Sequence, residues 1–234
     1  MNLFTYLKEL ELSVTEKQAA LLQDFAKILI AKNEVLNLTR ITDKKEVMVK
    51  HIIDALIVAK FITFKKGMKV LDVGTGGGVP GIPLAILFPE IDFLLADSVA
   101  KKIHAVDEFI QALNLRNVKT VVGRAEELAQ DKIYREEFDV VLARAVAPFR
   151  ILVELTYPFV HLNGKMVAYK GPEYLHEFMD AQNALRLLQA ESPQVKRYYL
   201  PENQGERTLI IIPKKFQTPS KYPRRVGVPG KTPL

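Results

Sequence analysis

The residues best suited to hold a small molecule are the glycines in the stretch LDVGTGGGVPG, Leu71–Gly81. Gly74, Gly76 and Gly78 alternate along the chain, and glycine at this density lets backbone N–H groups approach a ligand closely. Asp72 stands two residues before the first of these glycines. The pattern predicts a loop that binds a cofactor through its backbone.

Two classes of cofactor fit this loop. The segment from Gly76 to Gly81 also satisfies the dinucleotide pattern G-x-G-x-x-G, so the glycine spacing does not decide between them. A carboxylate at Asp72 would repel a pyrophosphate but favour a ligand that carries an ammonium and a sulfonium, as S-adenosylmethionine does. We therefore expect S-adenosylmethionine, with a nicotinamide dinucleotide as the alternative.

Later positions complete a nucleoside site. Asp97 ends the run IDFLLAD about 20 residues beyond the loop, where a carboxylate can accept hydrogen bonds from both ribose hydroxyls of either cofactor. In the stretch GRAEE, Ala125 and Glu126 stand where backbone and side chain can meet an adenine edge. A solvated acid at a helix start is the other interpretation of Glu126.

Basic and titratable residues are expected around the same site. Arg144 ends the run FDVVLAR, and its guanidinium can bind the cofactor, bind a substrate phosphate or form a structural ion pair. Lys170 ends GKMVAYK and is a candidate for contact with a phosphate or base of the substrate, or is solvated. His51 and Asp54 lie one helical turn apart and can form a hydrogen-bonded pair, although a lone surface histidine is the alternative. We predict no catalytic role for His51.

Short apolar runs alternate with helical segments from residue 66 onward, which is typical of a sheet covered by helices on both faces. Two last runs, VKRYYLP and RTLIIIPK, are separated only by residues 202–206, too few for a crossover helix, so they should pair antiparallel at the sheet edge. We predict an α/β fold over residues 65–213: a Rossmann-like, doubly wound and mostly parallel sheet that ends in an antiparallel hairpin.

Residues 1–64 are predicted to form a helical extension. Ser13 with Glu16 matches a capping box, in which each side chain accepts a hydrogen bond from the other residue's backbone N–H. Asp43 with Glu46 marks a second helix start.

Positive charge is concentrated at the end of the chain. The protein has 33 basic and 27 acidic residues and a net charge of +6, while residues 214–234 form a proline-rich tail without Asp or Glu. Such a tail suits a polyanion, although a solvated tail is the alternative. Its candidate RNA contacts are Lys221, Arg224, Arg225 and Lys231. We expect removal of residues 219–234 to weaken RNA binding and to leave cofactor affinity intact.

Composition excludes several classes of protein. The chain has no cysteine, which excludes disulfides, thiolate metal sites and cysteine nucleophiles, and we expect no metal. Lys8 and Glu9 interrupt the first apolar stretch, which argues against a signal peptide and favours a cytoplasmic protein. The longest uncharged run, Val73–Pro89, contains eight glycine or proline residues and cannot be a membrane helix.

Several segments together resemble one known family, the small-subunit ribosomal RNA methyltransferase G family, also called glucose-inhibited division protein B. The segments are NLT (37–39), HIIDAL (51–56), DVGTGGGVPGIPLAI (72–86), LADS (95–98), GRAEE (123–127), ARAVAP (143–148) and KYPRRVGVPGKTPL (221–234). The similarity covers nearly the whole chain, and ARAVAP and KYPR are specific to this family. Thr75 and Gly77 differ within the loop, but neither replaces a glycine that the G-x-G-x-G spacing requires.

The resemblance implies a bacterial enzyme with a class I methyltransferase fold that methylates N7 of a guanine in 16S rRNA with S-adenosylmethionine. By similarity, cofactor contacts fall on Gly74, Val79, Ala125, Glu126 and Arg144. The partner is 16S rRNA or the assembled small ribosomal subunit, and we expect a monomer.

The predicted chemistry needs no catalytic residue. Guanine N7 has an in-plane lone pair that is unprotonated at neutral pH, so positioning against the methyl donor is sufficient. The Asp/Asn-Pro-Pro-Tyr clamp of exocyclic-amine methyltransferases is absent, since ARAVAP stands in its place, and methylation of pyrimidine C5 would need a cysteine. N7 faces the deep major groove of A-form RNA, so the guanine must lie in a loop or be extruded. Two alternatives remain: a nicotinamide-dependent oxidoreductase, and an RNA-binding module with a vestigial cofactor site.

Overall fold

A seven-stranded sheet forms the centre of the protein, in a computed structural model that describes residues 3–9 and 11–234. The strands are β1 (Lys69–Val73), β2 (Asp92–Asp97), β3 (Val118–Val122), β4 (Phe138–Arg144), β5 (Val160–Lys170), β6 (Gln194–Tyr199) and β7 (Glu206–Pro213). Their order across the sheet is β3-β2-β1-β4-β5-β7-β6. Strands β1 to β5 are parallel, and β7 is antiparallel to β5 and β6. The predicted fold class and its C-terminal hairpin are confirmed.

The order of the strands also fixes where a ligand can bind. Strands β2 and β3 lie on one side of β1, whereas β4 and β5 lie on the other. A crevice opens at the carboxyl ends of the strands at such a reversal point. The glycine loop follows β1 and Arg144 ends β4, so both lie at this crevice.

Helices cover both faces of the sheet. The α-helices are α1 (Leu3–Glu9), α2 (Glu16–Leu36), α3 (Lys44–Val47), α4 (Asp54–Leu56), α5 (Gly81–Leu87), α6 (Ala100–Ala112), α7 (Ala125–Leu128), α8 (Phe149–Thr156), α9 (Tyr174–Asp180), α10 (Gln182–Leu187) and α11 (Val228–Lys231). Along β4, Val140 and Leu142 join the core that contains α2, whereas Val141 and Ala143 join the core that contains α8. Each large apolar side chain buried in these cores contributes about 1.5–3 kcal/mol.

The helix α2 begins two residues later than the sequence predicts. Its capping box is formed by Thr15 and Gln18, not by Ser13 and Glu16: Thr15 Oγ1 accepts from Gln18 N at 3.2 Å, and Gln18 Oε1 accepts from Thr15 N at 3.0 Å. Gln18 Nε2 also donates to the carbonyls of Ile86 and Leu87 at 3.1 and 2.9 Å. This contact with the end of α5 explains the choice between two overlapping capping patterns, because only Gln18 gains a partner outside its own helix.

The second predicted helix start is confirmed. Asp43 Oδ1 accepts hydrogen bonds from Lys45 N and Glu46 N, both at 2.9 Å. The helical segment that begins here contains a π-helical part, Met48–Ile53, in which the N–H of Asp54 reaches the carbonyl of Val49, and a 3-10 part, Ile57–Lys60. A π turn inserts an extra residue into a helix and is frequent at functional sites.

The segment after β7 packs against the body of the protein. Lys214 is fully buried and forms an ion pair with Glu136 at 2.8 Å, and Arg135 donates to the carbonyls of Thr218 and Tyr222 at 2.9 and 2.8 Å. No helix within residues 3–9 and 11–234 is long and apolar enough to cross a membrane. Helix α2 and the sheet share one hydrophobic core. The division of the chain into a helical extension, a sheet domain and a tail, with boundaries at residues 64 and 213, stays a prediction.

Candidate functional site

The glycine loop is held by two carboxylates, one at the end of each adjacent strand. Asp72 Oδ2 accepts from Thr75 Oγ1 at 2.7 Å and from Gly81 N at 3.0 Å. Asp97 Oδ2 accepts from Gly76 N at 3.0 Å, and its Oδ1 accepts from Val99 N at 2.9 Å. The loop conformation is therefore fixed before any ligand arrives.

The two carboxylates differ in their access to a ligand. Asp72 has no exposed surface, its Oδ1 makes no hydrogen bond within the described part of the chain, and burial raises its pKa to about 6. It can act on a bound cation only through space, which weakens the electrostatic argument made from its sequence position. Asp97 lines a cavity, and each carboxylate oxygen can accept a further hydrogen bond.

This first cavity has a volume of about 410 Å³ and brings together four predicted residues from three strand ends. They are Gly74, Asp97, Ala125 and Glu126. Lys102 also lines it, with its Nζ 4.0 Å from Asp97 Oδ2. The carboxyl ends of β1, β2 and β3 therefore supply one continuous wall, as the sequence predicts.

The C-terminal segment, which sequence reasoning assigned to RNA, also lines this cavity. Gly227, Pro229 and Gly230 line the first cavity, and Gly227 N donates to Glu126 Oε1 at 3.0 Å. Burial opposes ionisation of Glu126, but this hydrogen bond and Arg124 outweigh it and hold the pKa of the carboxyl below its ordinary value. The sequence contains one hint that this segment resembles the glycine loop: GVPG occurs at 78–81 in the loop and again at 227–230.

Two further cavities adjoin the first, and we call them the second and the third. The third cavity, of about 1210 Å³, lies between the glycine loop and the N-terminal helices. Gly76, Val79 and Arg144 line it, while Gly74 lines both this cavity and the first. Gly78 is not among the lining residues of either. Gly78 has a φ of +85°, and an added Cβ would lie 2.5 Å from Ile82 Cδ1. Its role is therefore to allow the tight turn of the glycine loop.

A second cavity, of about 550 Å³, adjoins the first on the side of β4 and β5. Ala145, Val146 and Ala147 line both cavities. Ala145 also lines the third cavity and has a φ of 56°, a left-handed conformation uncommon for residues with a Cβ. The segment 145–147, at the end of β4, therefore borders two adjoining cavities, and Ala145 borders all three.

Arg144 connects the sheet to the N-terminal helices. Its Nη1 donates to Lys50 O at 2.8 Å and to Asp54 Oδ2 at 3.1 Å, and its Nη2 lies 2.9 Å from His51 Nδ1. The hydroxyl of Tyr198 donates to Asp54 Oδ1 at 2.6 Å. The predicted direct pair of His51 and Asp54 is wrong, because both side chains bind Arg144 instead; the ion pair that we left open for Arg144 is present.

His51 is neutral in this cluster. Burial and the adjacent Arg144 lower the pKa of the imidazole to about 3. Because a guanidinium only donates, Nδ1 accepts from Arg144 at 2.9 Å and Nε2 carries the proton toward Thr39 Oγ1, 2.7 Å away. Nδ1 also lies 3.2 Å from Lys50 O, and since a carbonyl only accepts, this longer contact is not a hydrogen bond in the neutral imidazole. A neutral imidazole between two polar partners orients Arg144 without adding charge.

This histidine makes stability depend on pH. Because its folded pKa lies below its unfolded value of about 6.5, the unfolded chain takes up a proton first, and stability falls as pH falls through the window from 6.5 to 3. Between pH 7 and pH 5 we expect the wild type to lose about 2 kcal/mol more than His51→Gln. Urea unfolding of both proteins at the two pH values measures this, and equal losses would mean that the histidine is protonated in the fold.

The predicted RNA contacts lie in different surroundings. Lys170 is nearly buried, and its Nζ donates to Ala147 O at 2.9 Å and to Glu177 Oε2 at 2.6 Å. Lys221, Arg225 and Lys231 are exposed. Arg224 instead binds the fully buried Glu154, as discussed below. The wall formed by residues 227–230 argues against the expectation that removing 219–234 leaves cofactor affinity intact.

Comparison with known proteins identifies the family of this chain. A family model described as GidB, rRNA small subunit methyltransferase G, matches residues 18–207. A ribosomal RNA small subunit methyltransferase G from Streptococcus thermophilus strain CNRZ 1066 is 41% identical over 234 residues, which cover 100% of this chain and 98% of that protein. Its counterpart from Alkaliphilus metalliredigens is 40% identical over 227 residues, covering 97% and 95%.

Solved structures show the same fold at low sequence identity. A putative S-adenosyl-L-methionine-dependent methyltransferase from Methanococcus maripaludis aligns with a TM-score of 0.57 and 17% identity, over 83% of this chain and 94% of that chain. An O-methyltransferase from Thermotoga maritima aligns with a TM-score of 0.55 and 14% identity, over 82% and 72%. The sequence resemblance is thus confirmed, and this chain belongs to the GidB family, the rRNA small subunit methyltransferase G family.

Proposed function

We propose that this protein transfers the methyl group of S-adenosylmethionine to N7 of one guanine in 16S rRNA, and that it holds the donor across the first and third cavities. Membership of the family makes this chain an S-adenosylmethionine-dependent rRNA methyltransferase. The methylated atom is what the family resemblance implies, and the residues that hold the donor are our inference. One observation carries the donor site: a glycine turn, held by Asp97, lines two cavities at the reversal point of the sheet.

The residues present fit this donor. In the proposal Asp97 accepts from the ribose hydroxyls, and Ala125 with Glu126 borders the adenine. Gly74, Val79 and Arg144 lie toward the methionine part, with Gly76 between them. At Gly74 a Cβ would lie 2.6 Å from Val146 Cγ2, so only glycine lets the loop pack against the segment 145–147 beside the cavity.

The reaction needs little beyond this arrangement. When bound, the sulfonium of the donor supplies a methyl group that is already activated for displacement. The protein has only to hold the guanine N7 lone pair in line with that group, and proximity and orientation of this kind are worth about 7–11 kcal/mol. We therefore assign no general base, and the protein's residues act by binding and by excluding water.

Methylation of ribosomal RNA tests the proposal. The protein is incubated with methyl-labelled S-adenosylmethionine and small subunits from cells that lack the modification, and digested rRNA is analysed by mass spectrometry. We expect label in 7-methylguanosine at a single position. Label in another nucleoside would refute the assignment of N7, and comparison with deproteinised 16S rRNA identifies the preferred partner.

Binding measurements separate the cofactors. Calorimetry should give tight binding of S-adenosylhomocysteine and none of NADH, with one site per chain if the protein is a monomer. Tight binding of NADH would favour the oxidoreductase alternative. Binding of RNA without methyl transfer would favour the other alternative, an RNA-binding module with a vestigial cofactor site.

The substitution Gly74→Ala should damage the donor site. The residue has a φ of +70°, which costs a residue with a Cβ about 1–2 kcal/mol, and the new methyl group collides with Val146. We expect about tenfold weaker binding of S-adenosylhomocysteine, the effect of about 1.4 kcal/mol. Gly171→Ala, where the added Cβ meets nothing within 4 Å, is the control. Equal affinity of the two variants would contradict the placement of the donor.

A further inference from the structure

The second cavity lies where an acceptor of the methyl group would be. It shares Ala145, Val146 and Ala147 with the first cavity and Arg144 and Ala145 with the third, so a base bound there adjoins both cavities that we assign to the donor. We propose that this cavity binds the extruded guanine and that the Lys170–Glu177 pair reads its Watson–Crick edge. This inference rests on the proposed function and adds the residues that select the base.

The Glu177 carboxylate is fixed in place, with one oxygen left to bind a ligand. Its Oε2 accepts from Phe149 N at 2.7 Å and from Lys170 Nζ at 2.6 Å. Its Oε1 makes no hydrogen bond with any residue in the described ranges, and the side chain is 40% exposed where it lines the cavity. A carboxylate held by two donors is pre-organised to accept from a third.

Lys170 supplies the complementary donor. Two of its three N–H groups are used, by Ala147 O and by Glu177 Oε2, which leaves one for a ligand. The pair therefore presents one donor beside one free acceptor oxygen, Glu177 Oε1, which has two lone pairs. Guanine offers the matching sequence along one edge: the O6 acceptor, then the N1–H and N2–H donors.

The same edge explains how other bases are rejected. Adenine would place its N1 lone pair against the carboxylate and its amino group against the ammonium, so both contacts would be repulsive. N7 lies on the opposite side of the purine from N1 and N2. A guanine held by its Watson–Crick edge therefore leaves N7 free to face the donor, and a base flipped out of its stack is commonly read in this way.

The charges of the cavity fit a nucleotide. Lys50, Arg144 and Lys170 line it, and each is paired with a carboxylate. Arg207 also lines it and forms no ion pair with any residue in the described part of the chain, while its Nη1 donates to the carbonyl of Glu206 at 2.8 Å. Its charge is available for the phosphate of the extruded nucleotide.

Inosine in place of the target guanine tests the base contact, because it lacks only the N2 amino group. Small subunits are assembled with 16S rRNA that carries guanine or inosine at the mapped position. We expect the wild type to methylate inosine about tenfold more slowly, the effect of one lost hydrogen bond to a charged group. In Glu177→Gln the two substrates should react within about twofold of each other, with S-adenosylhomocysteine affinity unchanged.

Further variants and the wild-type reaction distinguish failure of this inference from failure of the proposed function. Glu173→Gln removes the same charge from an exposed position at the start of α9 and should keep the wild-type preference. Arg207→Gln should raise the KM for subunits without changing the ratio of guanine to inosine, which keeps the proposal testable if Glu177→Gln does not fold. A ratio of one in the wild type, or an unchanged ratio in Glu177→Gln, would overturn this inference. Absence of 7-methylguanosine from the wild-type reaction would overturn the proposed function itself.

Discussion

Replacing Arg224 by alanine is expected to lower the free energy of unfolding by about 3–5 kcal/mol, the cost of leaving a buried charge without its partner. The partner is Glu154, which has no exposed surface. Its Oε1 accepts from the backbone N and the Nε of Arg224, both at 2.9 Å, and its Oε2 accepts from Nη2 at 2.7 Å. After the substitution only the backbone hydrogen bond remains.

The same substitution should weaken donor binding. Arg224 anchors the C-terminal segment three residues before Gly227, which bonds to Glu126 and lines the first cavity. Chemical denaturation and calorimetry with S-adenosylhomocysteine measure the two effects. Arg225→Ala is the matched control, because Arg225 is exposed and its substitution should change stability by no more than about 0.5 kcal/mol. If Arg224→Ala lost only RNA affinity, the original assignment of this residue to RNA would stand.

The case of Arg224 shows where sequence reasoning reaches its limit. The absence of acidic residues after Pro213 suggested a free basic tail, yet Lys214 and Arg224 find carboxylates at Glu136 and Glu154, far away in the chain. A local count of charge cannot detect such pairs. Only the packing of α8 and the loop before β4 brings these carboxylates to the segment.

The sheet, by contrast, could be predicted almost completely. Strands β1, β2, β4 and β7 are buried almost throughout, so each appears as a nearly uninterrupted apolar run, and the short connection between the last two runs requires an antiparallel pair. Strands β3 and β6, at the two edges of the sheet, are only partly buried. The glycine loop and Asp97 were predictable for a related reason, since their positions follow from the strand ends. Conformations decided by contacts between distant elements could not be predicted in this way. An example is the capping box of Thr15 and Gln18, which starts α2 at Glu16.

The candidate site divides in the same way. Gly74, Asp97, Ala125 and Glu126 follow strand ends and meet in one cavity, as the topology requires. The partners of Arg144 come from a helical segment about 90 residues earlier, and neither its spacing nor its composition indicates which sheet residue it faces. The π turn at Met48–Ile53 lies in this segment, and helical periodicity does not predict it.

Substitution of Arg144 should lower the free energy of unfolding about as much as substitution of Arg224. It can also separate a structural role of Arg144 from a role in binding the cofactor. Arg144→Ala leaves the buried Asp54 with only the Tyr198 hydroxyl, so we expect a loss of about 3–5 kcal/mol and a large loss of methyl transfer. Arg144→Lys keeps the charge, but one ammonium cannot reproduce the planar fork that contacts Lys50 O, His51 and Asp54 together, so recovery should be partial. Arg150→Ala, an exposed arginine at the start of α8, is the control.

The double variant Asp54→Asn with Arg144→Ala decides what Arg144 does. Removing both charges removes the unpaired buried carboxylate, so the double variant should be more stable than Arg144→Ala alone, a positive coupling measurable by urea unfolding. If Arg144 also contacts the donor, as the family resemblance implies, binding of S-adenosylhomocysteine will stay weak although stability returns. Recovery of both stability and affinity would mean that Arg144 only holds the N-terminal helices against β4, and its assignment as a cofactor contact would have to be withdrawn.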